Sequence, residues 1–171
     1  KCQKKIMPKR IHKIEGISLG TASSNTRYGK KEDSLLVTLP QESILSGKFT
    51  SNKLKAAPVK LAIENLSNSK KAKKVLLINA GNANAATGPK GLKDVRKYCK
   101  EIALDFKTSQ ENVIPFSTGV IGEPLATENY LSAFREASKG LSENKWKKAA
   151  EAILTTDTKP KIISKEVKVG K

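Results

Sequence analysis

Short apolar runs along the chain predict its β-strands. Residues 14–19 (IEGISL) alternate between apolar and polar positions, as a strand with one buried face does, and lead into a polar stretch over residues 20–31. The run Ser34–Leu39 (SLLVTL) predicts a second strand, which Pro40 closes. Residues 75–78 (VLLI) are continuously apolar, which is typical of a strand that is covered on both faces.

Three further stretches have weaker or mixed patterns. Residues 49–52 (FTSN) predict a short strand or the end of one, and residues 160–169 (PKIISKEVKV) form a strand-like tail. Residues 79–88 (NAGNANAATG) consist of small residues and carboxamides. This segment is too polar for a core strand and too uniformly small for a generic linker, so we expect the preceding strand to end before it.

Apolar residues at helical spacing predict four helices. Pro58 lies near the start of the first, where its missing N–H costs nothing. Gly140 is expected to end the third helix, Thr127–Lys139. Ser142 is expected to cap the start of the fourth helix, and Lys159-Pro160 to end it. The predicted inward faces are Val59, Ala62, Ile63 and Leu66; Leu92, Val95, Tyr98, Cys99, Ile102, Ala103 and Phe106; Tyr130, Leu131, Phe134 and Ala137; and Trp146, Ala149, Ala150, Ile153 and Leu154.

Alternating strands and helices predict an α/β fold. A chain of 171 residues falls in the size range of one domain, so we expect residues 1–171 to form a single domain. Residues 1–13 are basic and irregular, and we expect them to be a mobile start.

The net charge of +17 raises the question of nucleic-acid binding. Lysine supplies most of this charge, whereas the planar fork of arginine is the favoured group for reading phosphates and bases. Aromatic residues make up 5% of the chain and do not alternate with basic ones, as they would in a base-stacking surface. We interpret the charge as a solvated surface and expect no nucleic-acid partner; a basic nucleic-acid-binding protein is the alternative from another class.

Cysteine and histidine are scarce. Cys2, Cys99 and His12 are the only such residues, and their spacing matches no familiar zinc site, so we expect no metal. A disulfide between the two cysteines stays open, although Cys99 lies on the apolar face of a helix, where buried free thiols are ordinary. The chain contains neither an apolar run as long as a membrane span nor a signal-peptide core. We therefore expect a cytoplasmic protein without a membrane partner.

Residues 113–125 (VIPFSTGVIGEPL) carry the candidate chemistry. The strand pattern breaks at Ser117-Thr118-Gly119 and resumes at residues 120–122, which would leave N–H groups and a hydroxyl without strand partners. Glycine lets a backbone approach a ligand closely, and a hydroxyl and an amide at one corner can stabilise a developing oxyanion. The alternative is a tight turn, which favours the same residue types.

The chain lacks a self-contained catalytic set. It has no G-x-S-x-G, HExxH, P-loop or GxGxxG motif. His12 is the only histidine and lies in the irregular start, so no Ser-His-Asp triad can be assembled. A nucleophile and its base must therefore come from elsewhere if the chain takes part in catalysis.

Five segments along the chain match the sequence pattern of a protein family. They are FTSN at residues 49–52, AAPV at 56–59, LINAGNANAATG at 77–88, PFSTGVIGEPL at 115–125 and AILTTDTKPK at 152–161. Together they resemble the α chain of the bifunctional glutamate N-acetyltransferase/ornithine acetyltransferase of arginine biosynthesis. The resemblance covers most of the chain from Gly47 onward and is loose before it. Ala80 departs from the serine of the family's NSGNAN pattern.

The resemblance implies a precursor that cleaves itself before a threonine into an α chain and a β chain. The new N-terminal threonine of the β chain would be the nucleophile, with its own amine as base, so the nucleophile is not in this chain. The chain stops at Lys171, before the family's glycine-rich segment and cleavage point, and residues 160–171 would lead toward that point. The implied fold is a layered αβ sandwich of the self-processing acetyltransferase/aminopeptidase type, completed by the β chain in an α2β2 or larger assembly.

The implied reaction is a ping-pong transfer of an acetyl group from N2-acetylornithine to glutamate. It needs no cofactor, although acetyl-CoA is a co-substrate in some members. For the two threonines after the last helix, capping of that helix is the structural alternative. The residues that the resemblance assigns are Thr118 and Gly119 as the oxyanion hole, Thr155 and, as second choice, Thr156 as substrate contacts, and Asn82 and Asn84 as supports behind the site.

Two related enzyme classes remain as alternatives. One is a self-processing N-terminal-nucleophile hydrolase such as a β-peptidyl aminopeptidase, which we would not expect to carry the whole series of segments. The other is an acetyltransferase of different specificity, as in antibiotic pathways.

Overall fold

The computed structural model describes residues 8 and 10–169, and within them four β-strands and four α-helices form. In chain order the elements are β1 (Ser18–Ala22), β2 (Ser34–Leu39), α1 (Ala57–Ser67), β3 (Lys74–Asn82), α2 (Gly88–Asp105), the 3₁₀-helix Gln110–Asn112, β4 (Val113–Val120), α3 (Thr127–Lys139) and α4 (Trp146–Ala152).

The strands form one sheet in the order β1-β2-β3-β4. The first two pairings are antiparallel, and β4 pairs parallel to β3, with α2 in the crossover between them. As a result β1, β3 and β4 run in one direction, and their carboxyl ends lie at the same end of the sheet. One row across the sheet near that end joins Ala22, Ser34, Asn79 and Ser117.

Helices cover the two faces of the sheet unequally. The helices α1, α2 and α3 bury one face in the main core, where Tyr98 and Phe134 pack edge to face with ring centroids 5.5 Å apart. On the other face, α4 packs against β1 and β2 through Ala149 and Ala152. The same face of β4 carries Phe116, which remains 45% exposed. The inward faces predicted for α2 and α3 are confirmed, since their central apolar residues are buried.

Two strands have other limits than the sequence predicts. The strand β1 begins at Ser18 because residues 14–17 form a turn closed by the Ile17 N–H, which donates to the Ile14 carbonyl at 3.1 Å. The strand β3 continues through Asn82, so the expectation that it ends before residue 79 is wrong. Its polar end is buried because hydrogen bonds satisfy the side-chain amides, as described below.

Two strand predictions are wrong. Residues 49–52 and 160–169 contain no strand in the part of the chain that the structure describes. Both segments lie largely on the surface, and Ile163, Val167 and Val169 are exposed, so no neighbouring strand or buried face is available to order them.

Helix α4 begins at Trp146 rather than at Ser142, and it ends at Ala152. Ser142 is held elsewhere, because its N–H and carbonyl exchange 3.0 Å hydrogen bonds with Leu19 in a short bridge to β1. The cap predicted at Ser142 is therefore wrong, although the third helix ends at Gly140 as expected.

Helix α1 buries a different face from the predicted one. Leu61, Ala62 and Asn65 are buried, whereas Ile63 and Leu66 are only half-buried. Asn65 turns inward because its side-chain amide donates to the carbonyls of Gln110 (3.1 Å) and Val113 (2.7 Å) at the start of β4. The buried face of α1 therefore includes a hydrogen-bonded polar residue, Asn65, whereas the sequence predicts a face of apolar residues only.

Cys99 is a buried free thiol in α2, and burial raises its pKa well above the usual range. Cys2 lies outside the described residues, as do residues 1–7 and 9 of the predicted mobile start, residues 1–13. Among the described residues, no helix is both long and apolar enough to span a bilayer. The same part of the chain contains no cluster of three or more His, Cys, Asp or Glu side chains able to hold a metal.

Candidate active site

Strand β4 runs unbroken through the residues where the sequence predicts a break. Ser117, Thr118, Gly119 and Val120 pair with residues 79–82 of β3, which extends far enough to give them partners. The Ser117 hydroxyl is also occupied, since it donates to Asn79 Oδ1 at 2.5 Å. The prediction that the strand pattern breaks at these residues is therefore wrong.

Accessible backbone groups arise instead because β4 is the last strand of the sheet. Backbone groups of a strand alternate between its two edges. The Val120 carbonyl faces the β3 side, where it accepts from the Ala83 N–H at 2.8 Å, whereas the Val113 carbonyl faces outward and accepts from Asn65. The same alternation directs the Gly119 N–H to the outer edge, beside the half-buried side chain of Thr118.

Gly119 is required by packing as well as by its backbone conformation. Its φ of 134° is one that residues with a side chain rarely adopt. A Cβ at this position would lie 2.2 Å from the carbonyl carbon of Gly81 and 2.5 Å from the nitrogen of Asn82. The two strands can approach this closely only because no side chain separates them.

Asn82 fixes the loop that follows β4. Its side-chain amide donates to the carbonyls of Glu123 (3.2 Å) and Pro124 (3.1 Å), and its Oδ1 accepts from the Asn84 N–H at 2.7 Å. Asn84 in turn donates to the Gly91 carbonyl in α2 at 3.0 Å. The two asparagines are buried and join the ends of both parallel strands to α2.

Thr155 and Thr156 follow α4 rather than cap it. The helix ends at Ala152 and its C-cap residue is Ile153, so capping does not account for either threonine. Thr155 is half-buried and Thr156 is exposed.

The loop at residues 23–31 reaches both predicted parts of the site. Arg27 forms an ion pair with Glu123 at 3.2 Å after β4, and the Lys31 ammonium donates to the Leu154 carbonyl at 3.0 Å, next to Thr155. We term this segment the bridging loop.

Buried Asp33 holds the bridging loop at its base, and sequence reasoning missed this residue. Its carboxylate accepts from the Ser24 N–H (2.8 Å) and hydroxyl (2.6 Å), and from the Ser34 hydroxyl (3.1 Å). Its only sequence signal is an acid immediately before an apolar strand, which is too common a pattern to identify a buried carboxylate.

Among the predicted site residues, Gly119 and Thr156 are exposed and Thr118 and Thr155 are half-buried, whereas Asn82 and Asn84 are buried. A cleft of about 750 Å³ is lined by Lys60, Leu92, Ile121 and their neighbours, and another of about 690 Å³ by Trp146 and residues 162–166. Neither Thr118 nor Thr155 lines these clefts. Thr118 and Thr155 are thus partly accessible but lie outside both clefts.

Comparison with known proteins gives consistent matches. The model of the ArgJ family matches residues 18–171. The arginine biosynthesis bifunctional protein ArgJ of Methylococcus capsulatus is 41% identical over 94% of this chain, and that of Colwellia psychrerythraea is 38% identical over 96%. The chain spans about two fifths of the length of these relatives, 39% and 41% respectively.

Two solved structures share the fold. The crystal structure of ornithine acetyltransferase from Mycobacterium tuberculosis, complexed with ornithine, matches with a TM-score of 0.78 and 27% identity, covering 86% of this chain and 79% of that one. The bifunctional ArgJ protein of Bacillus halodurans matches with a TM-score of 0.69 and 29% identity, covering 84% and 74%. The predicted α/β fold class is confirmed.

Proposed function

The chain belongs to the ArgJ family, and from this premise we propose that it is the α subunit of an ornithine acetyltransferase. The complete enzyme would transfer an acetyl group from N2-acetylornithine to glutamate. The Mycobacterium tuberculosis protein that shares this fold is an ornithine acetyltransferase complexed with ornithine, which supports the assignment.

The observation that carries the proposal is the position of Thr118 and Gly119 at the outer edge of β4. A half-buried hydroxyl and an outward amide lie on consecutive residues at the carboxyl end of the sheet. Strand pairing holds the backbone of both residues in place before any substrate binds, and donors positioned in advance stabilise an oxyanion without reorganisation. We assign them to the oxyanion hole.

The nucleophile would be an N-terminal threonine of a second chain made from the same precursor. Its hydroxyl attacks the acetyl carbonyl of N2-acetylornithine, its own amine takes the hydroxyl proton, and the amine of ornithine leaves with a proton. The acetyl-threonine ester is then attacked by the amine of glutamate, and the threonine hydroxyl is restored. Each attack places a negative charge on the same carbonyl oxygen, so Thr118 and Gly119 would act twice in a turnover.

Thr155 would contact the substrate, with Thr156 as the second choice. The Lys31 ammonium donates to the carbonyl of Leu154 at the preceding position, so the bridging loop contacts the chain directly before Thr155. The half-buried Thr155 would hydrogen-bond an amino-acid substrate, because its hydroxyl can both donate and accept.

The second chain would cover the open face of β3 and β4. Phe116 is exposed there, and Leu76 and Ile78 are only partly buried on the same face. A second sheet laid on this face would complete a layered αβ sandwich, and pairs of such units would form an α2β2 or larger assembly. The same placement would bring the N-terminal threonine toward Thr118, whose side chain lies on this face.

The proposed reaction uses no metal or prosthetic group, with acetyl-CoA as an alternative acetyl donor. We also propose that the enzyme works in the cytoplasm on small molecules, with no nucleic-acid partner.

The test is an assay of the complete protein with N2-acetylornithine and glutamate, followed by mass spectrometry of the products. We expect ornithine and N-acetylglutamate in equal amounts. Free acetate in place of N-acetylglutamate would indicate a hydrolase, and transfer to other amines only would indicate a different acyltransferase.

A further inference from the structure

A buried hydrogen-bonded pair lies directly beside the proposed oxyanion hole. Asn79 and Ser117 are register partners on neighbouring strands, and the Ser117 hydroxyl donates to Asn79 Oδ1 at 2.5 Å. Asn79 is fully buried, and Ser117 is half-buried. Because Ser117 precedes Thr118, this contact fixes β4 one residue before the groups that would bind the oxyanion.

The other end of the Asn79 amide continues the connection along β3. Its Nδ2 donates to the Asn82 carbonyl at 2.7 Å. This hydrogen bond spans Gly81, whose φ is 104°. The Asn82 side chain then donates to the carbonyls of Glu123 and Pro124 after β4. The strand segment containing Thr118 and Gly119 is therefore tied to β3 at both of its ends.

We propose that Asn79 is a positioning residue for acetyl transfer, which rests on the function proposed above. It holds Thr118 and Gly119 at the distance from β3 that the oxyanion site requires. Asn79 does not touch the substrate; it acts through Ser117 on one side and Asn82 on the other.

Two features argue for positioning rather than for cohesion alone. First, the apolar register partners Val75 and Val113 already join these strands in the core, so cohesion does not require a polar pair. Second, the Asn79 amide uses its donor and its acceptor on two different segments that flank the site. A displacement of about 1 Å in a catalytic group can cost about 100-fold in rate, so a fixed register matters more to the chemistry than to the fold.

The chain offers a matched control. Asn65 is also a buried asparagine whose amide donates to the β4 backbone, at Val113 (2.7 Å), and to Gln110 (3.1 Å). It lies at the opposite end of β4 from Thr118. Replacing either asparagine by alanine leaves backbone or hydroxyl groups unpaired in the interior, so both variants should lose stability.

The experiment compares Asn79→Ala, Ser117→Ala and Asn65→Ala in the complete protein. We expect kcat for acetyl transfer to fall by about 10- to 100-fold in the first two variants with KM little changed, and to stay within about twofold in Asn65→Ala. Equal losses of kcat in Asn79→Ala and Asn65→Ala at matched loss of stability would overturn the positioning role.

Hydrogen exchange gives a readout that does not depend on activity. Asn79→Ala and Ser117→Ala should accelerate amide exchange in residues 117–122 more than in residues 57–67, and Asn65→Ala should not. Uniform acceleration across both segments would overturn the proposal. If the unsubstituted protein transfers no acetyl group, the proposed function fails, and this measurement alone decides whether Asn79 fixes the strand.

Discussion

At the scale of single residues, the account depends on the Thr118 hydroxyl. Thr118 is half-buried on an edge strand, and its side-chain hydroxyl makes no hydrogen bond within the described chain, so removal of the hydroxyl should leave the fold intact. We expect Thr118→Ala to lower kcat by about 100-fold or more, which corresponds to losing one oxyanion donor, roughly 3 kcal/mol. Steady-state kinetics of the complete protein measure this effect.

Thr118→Ser is the matched control because it keeps the hydroxyl and removes only a methyl group. It should retain most of the activity that Thr118→Ala loses. Equal activity in the alanine variant and the unsubstituted protein would remove Thr118 from the mechanism.

The close packing of Gly119 predicts that adding a side chain at this position lowers the stability of the protein. In Gly119→Ala the new Cβ would meet the backbone of Gly81 at 2.2 Å in addition to an unfavourable φ, so we expect a loss of about 3 kcal/mol or more in the free energy of unfolding. Gly122 also has a positive φ, 83°, but a Cβ there would meet nothing within 4 Å. Urea unfolding should therefore show Gly122→Ala losing only about 1–2 kcal/mol; similar losses in the two variants would contradict the packing at Gly119.

Sequence reasoning proposed Thr118 and Gly119 as site residues but did not predict the contacts that hold them in place. A hydroxyl followed by glycine in a strand context is visible in the chain itself. The contact between Asn79 and Ser117 is not, because it depends on which strands are neighbours and in which register, and 38 residues separate the two. The burial of Asp33 could not be predicted for the same reason, since it depends on how the bridging loop folds back over the sheet.

At the scale of elements, an ion pair joins α1 to α2. The Arg96 guanidinium donates two hydrogen bonds to the Glu64 carboxylate, at 2.8 and 2.9 Å, and these lower the pKa of Glu64. Since the pKa is lower in the folded state, the pair contributes its full stabilisation above the unfolded pKa of about 4.3, and this is lost as the pH falls through the folded value.

We therefore expect Glu64→Gln to reduce stability near pH 7 and to have no effect once the carboxyl is protonated in both states. The difference near pH 7 should be below about 1 kcal/mol, because both side chains are partly exposed to solvent, which screens the pair. Urea unfolding of the two proteins from pH 7 to 3 measures it. A difference that grows toward low pH would have the wrong sign for this account.

Elements with a clear period were predictable, and those set by tertiary contacts were not. The helix Thr127–Lys139 and the strand Ser34–Leu39 match their predictions at both ends. Strand β3 runs further than its apolar run because buried amides hydrogen-bond beyond it, and α4 starts later because Ser142 pairs with β1. Local pattern carries the period of an element but not the partners that lengthen or shorten it.

At the scale of the whole molecule, the open face of β3 and β4 should bind the second chain. Phe116→Glu would place a charge on that face, and it should reduce the fraction of this chain that co-elutes with the second chain in size-exclusion chromatography. Leu104→Glu is the control, because Leu104 is 63% exposed on α2, which covers the opposite face of the sheet. Equal co-elution of both variants would mean that the second chain binds elsewhere.

The most direct test of the central claim is intact-mass analysis of the complete protein after brief reaction with N2-acetylornithine alone, quenched in acid. The account predicts two chains, with one acetyl group added to the second chain at an N-terminal threonine and none added to this chain. Addition of glutamate before the quench should discharge the acetyl group as N-acetylglutamate. An acetyl group on this chain, or turnover without any acetylated chain, would contradict the proposed division of the active site between two chains.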